Sequence, residues 1–166
     1  MERILVTGGG GYVGSMLVPK LLKLGYFVDV VDLFIYGDDV LEDHKNLRKI
    51  KIDIRETKNL SPILENCDTV IHLACISNDP SFELNPQLGK SINLDAFEPL
   101  VKEAINKKVS KFIYASSSSV YGIKKEKNVN ENMLLEPLTE YSIYKAECEK
   151  ILNKYSNNNF IVTTLR

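Results

Sequence analysis

The chain has 166 residues, enough for one domain with a substantial core and too few for two ordinary ones. Its hydrophobic fraction of 44 % and charged fraction of 26 % are those of a globular protein in water, and no run approaches the roughly 18 to 20 apolar residues that cross a bilayer. A net charge of −1 with mixed signs gives no electrostatic case for nucleic acid, and the start MERILVTGG is unlike a signal peptide, so a cytoplasmic protein is expected.

Short Val/Ile-rich runs alternate with longer segments of helical period. In chain order the expected strands are Arg3–Thr7, Phe27–Asp32, Lys49–Ile52, Thr69–Leu73, Lys111–Ala115 and Phe160–Leu165. The expected helices are Tyr12–Leu24, stopped by Gly25, then Lys58–Asn66, Pro86–Lys107 and Thr139–Tyr155. In the third helix Ile92, Ala96, Leu100 and Ala104 recur every four residues and mark its core-facing stripe. Strands rich on both faces and joined by helices imply right-handed crossovers and a doubly wound parallel sheet of order 3-2-1-4-5-6, with helices on both faces. The whole of 1–166 is read as one domain. Cys67, Cys75 and Cys148 form no CxxC pair, and His44 and His72 lie far apart, so core packing is expected of the cysteines and neither a disulfide framework nor a metal site.

Residues 7–14, TGGGGYVG, follow the first strand and open the first helix. In that context a glycine pattern is a dinucleotide signal, because a pyrophosphate can rest on the helix N-terminus. Gly8 allows the tight turn, Gly11 the close approach of phosphate, and Gly14 the packing of helix on strand. Gly9 and Gly10 fill places expected to accept Ala. The second strand ends in Asp32, about 20 residues on, where a carboxylate accepts from ribose hydroxyls and repels a 2′-phosphate. The next basic residue is Lys45, so NAD is favoured over NADP.

Tyr141 and Lys145 stand four apart on the last helix and face the same way. A tyrosine with a pKa near 10 needs a neighbouring cation to act as a base at neutral pH, and Lys145 is placed to supply one. A hydroxyl from the run SSSS at 116–119 then orients a substrate oxygen while Tyr141 moves its proton.

TGGGGYVG, Asp32, Asp53-Ile54, HLA at 72–74, Asn93, SSSSVYG and YSIYK occur in the order found in extended short-chain dehydrogenases/reductases, and the chain resembles their nucleotide-sugar epimerase/dehydratase branch over its whole length. The resemblance implies NAD as cofactor and a nucleotide sugar as substrate. It makes Ser117, Tyr141 and Lys145 catalytic. It assigns cofactor contacts to Gly8, Gly11, Tyr12, Val13, Gly14, Asp32, Asp53, Ile54, Leu73, Ala74, Cys75, Asn93, Ala115, Tyr141 and Lys145. Substrate contacts fall on Ser77, Asn78, Ser117, Ser118 and Ser119, and ISNDPSFELNP resembles sugar-active members.

Glu140 replaces a common proline, and Ser77 stands where some epimerases carry lysine. Ser118 and Ser119 stand where dehydratases carry Asp-Glu, which favours epimerisation or simple oxidoreduction. Members of this family continue for roughly another 150 residues, so a C-terminal substrate domain is expected to be absent here. A homodimer is implied by family analogy. The alternative is a non-catalytic NAD-binding module or an inactive fragment.

Overall fold

The six strands hydrogen-bond side by side, all parallel, in the order β3-β2-β1-β4-β5-β6. They are β1 (Arg3–Thr7), β2 (Phe27–Asp32), β3 (Leu47–Lys51), β4 (Thr69–His72), β5 (Lys111–Ala115) and β6 (Ile161–Leu165). The computed structural model describes residues 2–77 and 79–166. The order reverses between β1 and β4, so the chains leaving their carboxyl ends continue to opposite faces of the sheet, and a ligand crevice is expected there.

Successive strand side chains point to opposite faces, and the core is split accordingly. On one face Leu5, Val70 and Phe112 pack against α2 (Thr57–Leu64), α5 (Phe97–Asn106) and α6 (Glu140–Tyr155). On the other, Ile4, Val6, Val28, Val30 and Ile71 pack against α1 (Tyr12–Lys23), with Phe34 and Leu41 from the long β2–β3 loop. That loop therefore does the work of a second helix. Among the described residues no helix is long and apolar enough to cross a membrane.

Strand and helix positions agree with the sequence reading to within about two residues at most ends, the usual uncertainty of element boundaries. The segment between β4 and β5 is different. An additional helix, α3 (Asp79–Leu84), comes first, and in place of one helix over 86–107 the chain forms α4 (Pro86–Lys90), a π-helical turn at Ser91–Asp95 and α5. Asn85 caps α4 by accepting from the Leu88 N–H at 3.0 Å. In the π turn the Ala96 N–H reaches back five residues to the Ser91 carbonyl at 3.2 Å. Pro99 has no N–H to offer Asp95, so a regular ladder through this stretch is already one bond short. The extra residue rotates the stripe: Asn93 and Phe97 are buried, while Ile92 is only half-buried.

Candidate functional site

A cleft of about 820 Å³ opens at the carboxyl ends of the strands, a size suited to a small-molecule ligand. One end is made of the glycine turn. Gly8 donates its N–H to Val31 O at 2.8 Å and has φ 72°, in the left-handed region. A Cβ there would lie 2.5 Å from Ala74 N, so the β1 and β4 exits touch through backbone alone. At Gly14 a Cβ would lie 2.3 Å from Gly9 O; this glycine sits behind the cleft wall and does not line it. A Cβ on Gly11 would meet only Gly8 O, at 3.3 Å. Space is therefore open above the start of α1, where the helix has no side-chain cap and Tyr12 and Val13 line the cleft. Uncapped N–H groups and the positive end of the helix dipole favour an anion at that point.

The middle glycines are not permissive, contrary to the sequence expectation. A Cβ on Gly9 would lie 2.7 Å from Cγ1 of buried, β-branched Val30. On Gly10 it would press on the Phe34 ring at 3.0 Å and on the Asp32 carboxyl carbon at 3.1 Å. Asp32 is why this corner is tight. One carboxylate oxygen accepts from the Gly10 N–H at 2.9 Å and the other from the Phe34 N–H at 2.8 Å, so it ties the glycine turn to the β2 exit. Phe34 itself has φ 48°, unusual for a bulky side chain. Farther along, Asp53 is paired with Arg55 at 2.5 Å, and that guanidinium holds its carboxyl below the usual range. Ile54, Leu73, Ala74 and Cys75 also line the cleft. Cys75 is thus not a core filler, unlike Cys67 and Cys148, whose thiols burial pushes up to about 11 and about 12.

At the opposite end, Tyr141, Lys145 and Ala115 close the wall. Lys145 is buried; its Nζ donates to Ala115 O at 2.7 Å and lies 5.7 Å from the centre of the Tyr141 ring. Burial raises the Tyr141 pKa, with the Cys75 and Asp79 side chains adding to the rise, while a hydrogen bond from the Ser117 hydroxyl opposes it. One turn on, Glu149 accepts from the Ser116 hydroxyl and pairs with Arg166 at 2.6 Å. Two turns of α6 therefore clamp consecutive residues at the β5 exit.

Two groups of expected contacts need correction. Ser117, Ser118 and Ser119 lie off the cleft, because the chain after β5 winds into a 3-10 turn at Ser118–Tyr121. Ser117 accepts from the Ser119 N–H at 3.2 Å, with its Oγ 2.8 Å from Ser119 Oγ, and Ser118 faces solvent. Ser116 lines the cleft in their place, although Ser117 still reaches Tyr141. Asn93 does not face the cleft either. Its amide accepts from the Ile76 N–H and donates to the Ile76 carbonyl, both at 2.9 Å, and so fixes the β4 exit from behind. Ser77 lines the cleft; Asn78 lies outside the described residues.

His72 is also buried, 2.7 Å from Thr7 Oγ1 through Nδ1 and packed on Phe97 and Tyr114. Burial, with the Lys145 charge added, pushes its pKa down to about 3, so it is neutral. Among the described residues no group of three His, Cys, Asp or Glu side chains is arranged to hold a metal.

Residues 4–166 match the model of the NAD dependent epimerase/dehydratase family. The chain belongs to this family. An uncharacterized UDP-glucose epimerase of Bacillus subtilis (strain 168) is 33 % identical over 168 residues, covering 94 % of this chain and 52 % of the relative. The solved UDP-N-acetylglucosamine 4-epimerase of Methanobrevibacter ruminantium M1, in complex with UDP-N-acetylmuramic acid, superposes with a TM-score of 0.91 at 31 % identity, over 99 % of this chain and 54 % of that one. The UDP-glucuronic acid 4-epimerase of Bacillus cereus, in complex with UDP-glucuronic acid and NAD, gives 0.89 at 34 %, over 99 % and 55 %. The chain thus spans about half the length of these epimerase/dehydratase relatives.

Within this family member, residues that sequence reasoning passed over also shape the cleft: Leu33, Phe34, Ile35 and Tyr36 on one rim, Leu88 and Ile92 on the other. The apolar run LFIY directly after Asp32 was a readable signal for the first group. Nothing local marked Leu88 and Ile92, whose orientation follows from the π turn.

Proposed function

We propose that the protein is the cofactor-binding and catalytic part of an NAD-dependent nucleotide-sugar epimerase, with residues 1–166 corresponding to the NAD-binding domain of its relatives. The observation that carries this reading is that one cleft brings together the glycine turn, Asp32 and the Tyr141–Lys145 pair. The residues fit a dinucleotide. The turn leaves room where a side chain at Gly11 would stand, and the α1 start offers uncapped N–H groups to a pyrophosphate. Asp32 sits where ribose hydroxyls need an acceptor, with no basic residue before Lys45 to welcome a 2′-phosphate. Asp53 and Ile54 border the adenine end, and Leu73, Ala74 and Cys75 form the wall between the two ends.

Bound in this cleft, NAD supplies the hydride acceptor and donor. Lys145, held by Ala115 O, carries the positive charge at the catalytic end and favours the Tyr141 phenolate when a proton must leave. Tyr141 takes the proton of a sugar hydroxyl as that carbon becomes a ketone and returns it on reduction, while Ser117 hydrogen-bonds the phenol. A second copy of the chain along α4, α5 and α6 is proposed by family analogy, with gel filtration as its check.

Calorimetry with NAD tests the binding half of this reading; Gly11→Val is expected to weaken it at least about 100-fold by filling the anion site, leaving the fold intact. Adding UDP-glucose and related nucleotide sugars to the NAD-loaded chain is expected to raise the absorbance of reduced nicotinamide. The half-length match favours one competing reading, a module that binds NAD without turnover. NAD binding with no reduction by any sugar would establish that module instead.

A further inference from the structure

Phe34 lines the cleft and holds a backbone conformation that a bulky residue rarely takes, with φ 48° in the left-handed region. Strain of this kind persists only where the surroundings fix the residue from several sides, and it gathers at working sites. Three contacts fix Phe34. Its N–H donates to one Asp32 oxygen at 2.8 Å. Its ring is buried in the core with Val30 and Leu41. The edge of the same ring packs on Gly10, where an added Cβ would lie 3.0 Å from it, and Gly10 donates its own N–H to the other Asp32 oxygen at 2.9 Å. The left-handed turn couples these contacts, because it leaves the N–H on the carboxylate while the ring turns inward to the core. Asp32 is thus held at both oxygens, and one side chain braces both of its donors.

The geometry points to Phe34 as a positioning residue that fixes the Asp32 carboxylate for the cofactor ribose and so sets the preference for NAD over NADP. This rests on the NAD-binding reading above. A carboxylate offers about four acceptor positions. The two backbone donors take one on each oxygen, which leaves acceptor capacity on both for a pair of ribose hydroxyls. Held in this way, Asp32 needs no ordering when the ribose arrives, and it cannot swing aside when a 2′-phosphate is presented in place of a hydroxyl. Without the ring, nothing holds the strained turn, and the Phe34 N–H is free to leave Asp32. The ribose then loses a prepared acceptor, and a 2′-phosphate meets a charge able to retreat. The rest of the β2–β3 loop has its own anchors: Leu41 is buried in the same cluster, and Lys49 Nζ donates to the Leu41 carbonyl at 3.1 Å.

Titration of the chain with NAD and with NADP by calorimetry tests this. The unaltered chain is expected to bind NAD at least about 100-fold more tightly than NADP. Phe34→Ala is expected to bring the two within about tenfold, by weakening NAD and tightening NADP. Phe34→Leu keeps an apolar anchor and so spares the fold; it is expected to narrow the preference by at least about threefold. Leu41→Ala removes packing from the same cluster and is expected to lower the urea midpoint at least as far as Phe34→Ala, yet to leave the preference as it was. An undiminished preference in either Phe34 variant, or an equal fall in Leu41→Ala, overturns the role of Phe34 and leaves NAD binding in place. Equal binding of NAD and NADP by the unaltered chain does the same. Failure of both dinucleotides to bind overturns the NAD reading and the role of Phe34 with it.

Discussion

At the Gly8–Gly14 end the cleft wall is backbone, held so close that added Cβ atoms would sit 2.3 to 3.3 Å from their neighbours. At the Tyr141 end the wall is side chains drawn from α6, the β5 exit and the segment between β4 and α4, each fixed by a partner from another element. The first arrangement leaves little room for added atoms except at Gly11, because the β4 exit at Ala74 and the side chains of Val30 and Phe34 crowd the turn. The second tolerates changes in size but depends on contacts between residues far apart in sequence. A rigid anion cradle suits a ligand held in one way. A site assembled from side chains suits chemistry that differs among relatives of one fold.

The sharpest way to break this comparison is Gly14→Ala. Its Cβ would meet Gly9 O at 2.3 Å, and a loss of about 3 kcal/mol or more is expected in urea unfolding. An unchanged midpoint would show that the glycine turn yields, and the contrast between the ends would fail. At the other end, Tyr141→Phe is expected to leave NAD affinity intact and to slow reduction of bound NAD by UDP-glucose about 10²- to 10⁴-fold. Equal loss of binding and turnover would mean that Tyr141 supports the fold and not the proton transfer.

Asn93→Ala removes both partners of the Ile76 backbone and should cost about 2 to 3 kcal/mol, with faster amide exchange at Ile76. Protection unchanged at Ile76 would release the β4 exit from dependence on the π turn. The most gradual effect is a pH slope. His72 takes up no proton in the folded protein until about pH 3, whereas the unfolded chain does so near 6.5. Stability is therefore expected to fall as pH drops through that window, by about 1 kcal/mol per unit from this residue. His72→Gln should remove that part of the slope; a slope unaltered in the variant would assign it to other groups.

The legible parts of the molecule were those governed by local rules. Short Val/Ile-rich runs located the strands, and their alternation with helical segments implied the sheet order, because right-handed crossovers leave few alternatives. Gly8, Gly14 and Asp32 were readable because each answers a backbone or spacing requirement within a short segment. The serine run was misread in its details because four identical residues carry no phase, and only the 3-10 turn decides that Ser116 and not Ser118 meets the cleft. Asn93 was expected at the cofactor, but its amide bonds the Ile76 backbone 17 residues back in the chain, a contact that no local pattern announces. The permissive reading of Gly9 failed because Val30, from the neighbouring strand, occupies the needed space.

The π turn at Ser91–Asp95 makes the chain behave there as two shafts joined by a coupling. Its surplus residue sets the rotation of α4, which reaches the cleft through Leu88, independently of α5, which is locked in the core. Removing one residue between 91 and 95 would give a smoother helix yet turn everything before it by roughly 100°. Leu88 would swing off the rim and Asn93 would leave Ile76 unsupported. Apart from Asn93, this segment should therefore accept substitutions yet refuse every single-residue deletion, a pattern of tolerance opposite to that of an ordinary loop.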